Sequence, residues 1–147
     1  MSEFEHWLIE LNEEKLTASP EGIDTLLANA KKLPEGKLWI GKDGGPRPWW
    51  HRFLGTPKRY VDSLFSLEWY SGGATLIFHD ENWSEYRALK PRGGQSFPEN
   101  IRGKISHGEL KPAPDEECIE TEQAFRAISE ALQKGDRPSW LEYSFVE

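Results

Sequence analysis

Hydrophobic and polar positions recur along this chain with two different periods, and the change from one to the other marks out its elements. The clearest strand pattern is "DSLFSLEWY", where Phe65, Leu67 and Trp69 alternate with Ser66, Glu68 and Tyr70. That spacing puts one face in a core and leaves the other partly wet. "ATLIFHD" and "SEYRALK" are two further strand-like runs. Gly72 and Gly73 join the first pair as a tight hairpin, and Asp80, Glu81 and Asn82 make the next turn, so the three predict an antiparallel meander. Upstream, "FEHWLIEL" reads as an opening strand in preference to a helix start, and "KLWIG" as a short strand.

Helical periodicity appears twice. In "SPEGIDTLLANAKKLPEG", Ile23, Leu26, Leu27 and Ala30 form one stripe. Ser19 is placed to cap it, Pro20 sits at the first helical position, Lys31 and Lys32 in the last turn, and Pro34 ends it. The second helix carries Ala124, Phe125, Ile128, Ala131 and Leu132 on one face, with Thr121 as candidate cap and Gly135 at its left-handed end. Pro138 cannot extend it, and "WLEYSFV" alternates Leu141, Tyr143 and Phe145 against Glu142 and Ser144, a final strand set beside the earlier ones. "KDGGPRPWWHRFLGTPKRY" reads as a long broken loop or edge segment. "PRGGQSFPENIRGKISHGEL" reads as loop with at most one short strand, and "KPAPDEE" as a polar connection. The expected architecture is a single α+β domain over 1–147, a mostly antiparallel sheet of five or six strands with two packed helices.

Composition narrows what such a domain does. The chain of 147 residues is 37% hydrophobic and 29% charged, enough for one core without metal or disulfide staples. Its formal net charge of -7 disfavours direct binding to a phosphate backbone and suits a basic protein partner. One cysteine, Cys118, excludes an internal disulfide framework and fits a reducing compartment. "MSEFEHWLIELNEEK" is not a signal peptide and no run is long enough to span a membrane, so a cytoplasmic location is expected. Seven tryptophans are the outlier. Each indole N–H needs a partner, which places some near the surface, where aromatics anchor partners.

Candidate chemistry is thin. His6, His51, His79 and His107 show no metal-ligand spacing. Cys118 and His107 would make a nucleophile pair only if folding joined them, with no third orienting group evident. Glu68, His79, Asp80 and Glu81 gather at strand ends and could serve a small hydrolase, although Asp80 and Glu81 read first as turn residues. "GKDGGPRP" lacks the spacing of a phosphate loop. The acidic run "PDEECIETE" complements a helix dipole and could also face a cationic partner. Trp49 and Trp50 either cover the core or anchor a partner. No catalytic residue, cofactor or metal ligand is assigned.

The closing segment "AFRAISEALQKGDRPSWLEY" resembles the Imm family-one immunity proteins of bacterial polymorphic toxin and contact-dependent inhibition systems, which end in an amphipathic helix followed by a "tGxRPxxvxWe"-like turn and strand. Gly135, Arg137, Pro138 and Glu142 stand in the matching places, with Tyr143 where the family has tryptophan and Trp140 nearby. The resemblance implies a cytoplasmic inhibitor of a cognate toxin domain, commonly a nucleic-acid deaminase or nuclease. The expected mode is occlusion, with Trp49, Trp50, Glu68, Asp80, Glu81, Trp83 and Glu85 as partner-binding residues and the closing motif as framework. A general protein-interaction module is the remaining alternative.

Overall fold

The computed structural model describes residues 7–18, 20–46, 59–79 and 84–146. It is an α+β domain built on one antiparallel sheet. Strands β1 (Trp7–Leu11) and β2 (Glu14–Ala18) form a hairpin whose turn places Asn12 and Glu13 at φ 49° and 72°. Asn12 then clasps the neighbouring strand: its N–H donates to Lys37 O at 2.9 Å and its Oδ1 accepts from Lys37 N at 2.8 Å. The sequence pattern did not separate β2, because five residues after a glycine-free turn carry little alternation.

Helix α1 (Pro20–Lys31) buries Ile23, Leu27 and Ala30 as expected; Ser19 lies outside the described residues. Strand β3 (Glu35–Pro46) runs well past "KLWIG", pairing with β4 (Arg59–Tyr70) across register shifts at Ile40/Gly41 and Asp43/Pro46. Such bulges let a strand absorb residues that read as breakers. Strands β5 (Gly73–His79) and β6 (Glu85–Leu89) complete the expected meander. Two-residue β7 (Ile119–Glu120) pairs with the start of β5, and β8 (Glu142–Val146) pairs with β6. The sheet order is β2-β1-β3-β4-β5-β6-β8, with β7 off this path. Among the described residues eight strands therefore stand where five or six were expected.

One face of the sheet holds the core. Helix α1 and helix α3 (Thr121–Lys134) cover it, joining Ile23, Leu27, Ala124, Phe125 and Ile128 to Ile40, Phe65, Leu67, Trp69, Leu76 and Phe78. Trp69 is 2% exposed, stacks edge-on to Phe125 at 5.2 Å, and donates its indole N–H to Leu33 O at 3.0 Å. Its ring fills the space a Cβ on Gly36 would need. Glu120, not Thr121, caps α3, through a reciprocal pair with Gln123. Thr121 is the first helical residue, and its hydroxyl donates to Gly73 O at 3.4 Å. Gly135 takes φ 78°, the left-handed closure expected of it.

The opposite face departs from the half-wet surface expected of it. Residues 96–118, containing one-turn helix α2 (Glu99–Arg102) and two 3-10 turns in place of any strand, fold back across β4 and β5. This clasp has its own small core of Phe97, Ile105, Ala113 and Cys118 against Tyr70 and Ile101. Lys90 and Asp115 pair at 2.5 Å at one end, and Arg102 donates to the carbonyls of Phe97 and Ala113 within it. No helix among the described residues is long and apolar enough to cross a membrane.

Candidate functional site: an acidic groove on the open sheet face

Where the clasp stops, the outer sheet face is left as a groove. Cross-strand register builds its floor: Glu10 lies opposite Trp39, Trp39 opposite Ser66, and Ser66 opposite Ile77, one row across four strands. The adjoining row places Lys37 opposite Glu68 and Glu68 opposite Thr75. Glu13 at the β1–β2 turn, His79 and Glu85 at the β5–β6 end and His107 on the clasp complete the rim of a hollow of about 410 Å³. It continues along Glu35, Tyr70 and Lys104 into a second open hollow of about 550 Å³. The first hollow carries Glu10, Glu13, Glu68 and Glu85 against Lys37, so its charge balance is negative and half-buried Trp39 supplies an apolar patch in its floor.

Of the expected partner-binding residues, two belong to this groove. Glu68 was read on a wet strand face; it is only 8% exposed, because the clasp covers it and its Oε1 accepts the His107 N–H at 2.9 Å. His107 holds φ 53° there, a left-handed conformation uncommon outside glycine, which this carboxylate contact helps to hold. Glu68 therefore gives the groove charge more than a free oxygen. Glu85 is part-exposed and its Oε1 accepts from Arg87 Nε and Nη2 at 3.0 and 2.9 Å. Burial works against the charge on Arg87, but Glu85, Glu117 and Glu109 more than offset it, and its pKa is raised. Trp49, Trp50, Asp80, Glu81 and Trp83 lie outside the described residues, the last three falling in sequence between groove residues His79 and Glu85.

One arrangement has the outline of a catalytic triad. Thr75 Oγ1 is 2.7 Å from His107 Nε2, and His107 Nδ1 is 4.0 Å from Glu68 Oε2. Its details point to a structural strut. Thr75 is buried, its hydroxyl proton is given to Ile105 O at 2.6 Å, and the hydroxyl then accepts from Nε2–H. The Nδ1 separation is beyond hydrogen-bond length. The cavity at the Thr75–His107 contact measures only about 10 Å³, so the buried hydroxyl has room beside it for a single water, while Glu68 and His107 reach the larger groove from its other side. Burial lowers the His107 pKa, with Glu68 opposing, so the ring is neutral near pH 7.

The Cys118–His107 pairing does not form. The Cys118 thiol is fully buried, donates to Pro114 O at 3.4 Å, and is pushed up to about 11 by burial, with Asp115 adding to the effect. The imidazole is committed to Thr75 instead. Among the described residues no three His, Cys, Asp or Glu side chains gather as a metal site requires.

The closing motif is tied into the framework. The Arg137 guanidinium lies 3.7 Å from the Tyr86 ring centroid, and the Tyr143 hydroxyl donates to Pro138 O at 2.8 Å. Trp140 donates to Glu130 Oε2 at 2.5 Å beneath Arg126. Sequence reasoning missed Glu10, Glu13, Lys37 and Trp39 as groove residues. Their alternation with Ile9, Leu38 and Ile40 is the signal that could have given their face, but only the β1–β3–β4 register brings them together. No family model, no curated protein and no solved structure matches this chain.

Proposed function

We propose that this protein is an immunity protein that neutralises a cognate toxin domain by seating a basic segment of it in the acidic groove. The observation that carries the reading is the groove's charge: four carboxylates and one lysine around a half-buried indole, on a sheet face that two helices and a clasp hold rigid. A cationic partner gains encounter rate and register from such a surface, and an aromatic in the floor gives it an apolar anchor. The framework role of Gly135, Arg137 and Pro138 supports the family likeness of the closing segment. From that likeness come the bacterial cytoplasmic setting and a toxin that acts on nucleic acid, a deaminase or nuclease. Such an enzyme has a cationic cleft, which carboxylates occupy in place of substrate phosphates. Trp49, Trp50, Asp80, Glu81 and Trp83 are proposed as further partner contacts, with no cofactor and no catalytic step of this chain's own.

Co-purification with the toxin domain encoded beside it is the direct test. The native protein is expected to retain the toxin domain and suppress its activity, while Glu10→Lys with Glu13→Lys, two exposed groove positions, loses both. A folded native protein that neither binds nor protects overturns the proposal.

A further inference from the structure

The two outer edges of the sheet are chemically unlike. On the β2 edge, Glu14 and Lys15 are exposed and charged, which blunts strand addition. On the β8 edge the sequence is Glu-Tyr-Ser-Phe-Val, with no proline, lysine or bulge, and no strand pairs its outer side among the described residues. Phe145 is 53% and Val146 40% exposed there.

Register makes that exposure specific. Ile9, Ile40, Phe65, Phe78, Tyr86 and Phe145 are successive cross-strand partners, one apolar row across the helix-covered face. Every neighbouring pair from Phe65 outward is aromatic, and Tyr86 meets Phe145 at 5.0 Å. The row is buried through Phe78, half-buried at Tyr86, and ends on Phe145 in solvent. A further strand would continue it.

We propose that this strand is β8 of a second copy, added antiparallel about a two-fold axis at Ser144. That register is self-complementary: Ser144 faces Ser144 of the partner subunit, Tyr143 faces Phe145 of the partner subunit, and Glu142 faces Val146 of the partner subunit. Two cross-strand aromatic pairs form, each exposed Phe145 gains a ring neighbour, the small Ser144 allows close approach at the axis, and the two Glu142 carboxylates stay about 13 Å apart along the strand. An isologous contact of this kind closes at two copies, so it gives a dimer with one continuous sheet. The groove lies on the opposite face and is left open, so the dimer stands independently of the proposed function.

Sedimentation of the native protein over a concentration series tests this, with the apparent mass expected to rise from monomer to twice that value. Phe145→Lys is expected to hold it at monomer, and Leu110→Lys, at a fully exposed site on the clasp, to leave the dimer intact. Register is read by oxidation: Ser144→Cys is expected to give a disulfide-linked dimer, since strand partners at about 4.5–5.5 Å lie within disulfide reach. Glu142→Cys is expected to give none, and the buried Cys118 adds no background. A native protein that stays monomeric throughout overturns the proposal. So does a dimer that survives Phe145→Lys, a strand of another protein on this edge with no self-association, or cross-linking at 142 equal to that at 144.

Discussion

Trp69 shows how much a single position does here. Its ring takes the room left by the missing side chain of Gly36, its N–H satisfies Leu33 O, and its edge meets Phe125 from the other side of the core. Truncation to alanine removes all three contacts and leaves a cavity between sheet and α3. Trp69→Ala is expected to destabilise the fold by about 3–5 kcal/mol, read as a lowered denaturant midpoint. Cys118 is the opposite case, a residue whose chemistry the fold switches off. With its thiol buried and pushed up to about 11, alkylation is expected to occur only under denaturing conditions, checked by mass after a short pulse of reagent. The burial of Trp69 was legible in its alternation with Phe65 and Leu67. The silence of Cys118 was not, because it depends on a clasp whose loop-like sequence carries no period.

At the scale of elements, the meander, both long helices and the left-handed closure at Gly135 follow from pattern and punctuation. Strands β2 and β7 and the extension of β3 do not, because a hairpin turned on Asn12–Glu13, a two-residue ladder and a bulged glycine–proline run leave no periodic mark. The clasp is the element that most changes the molecule, and its charges give it a pH signature. Asp115 is held at about 2, below its ordinary 3.8, by the Lys90 ammonium, the Phe97 N–H and the Ser96 hydroxyl. A depressed carboxylate stabilises the fold above its unfolded pKa, and that contribution is lost as pH falls from about 3.8 towards 2. His107 is depressed from 6.5 by burial, against the pull of Glu68, so its neutral form is favoured in the fold. Stability is then full above pH 6.5 and falls as acid reaches the lowered folded value. Denaturant midpoints are expected to drop in two pH windows, one opening below 6.5 and one below about 3.8, with His107→Gln flattening the upper one and Asp115→Asn the lower.

For the whole molecule, the sign of the net charge was legible from composition, while the place where negative charge faces outward was not. Glu10 with Glu13, Glu68 and Glu85 come from three separate stretches, and sheet order alone gathers them. Opposing cations, Lys37 in the groove and Arg87 beside Glu85, set how much of that charge the groove retains. Calorimetric titration of the proposed cognate toxin domain into the native protein and into the Glu10→Lys/Glu13→Lys variant reads that charge most directly. Reversing both sites is expected to weaken binding by about 10–100-fold, a difference of about 1.4–2.8 kcal/mol, with the native affinity falling as salt rises. Equal affinity for the two proteins, unmoved by salt, would contradict the acidic groove as the site of docking.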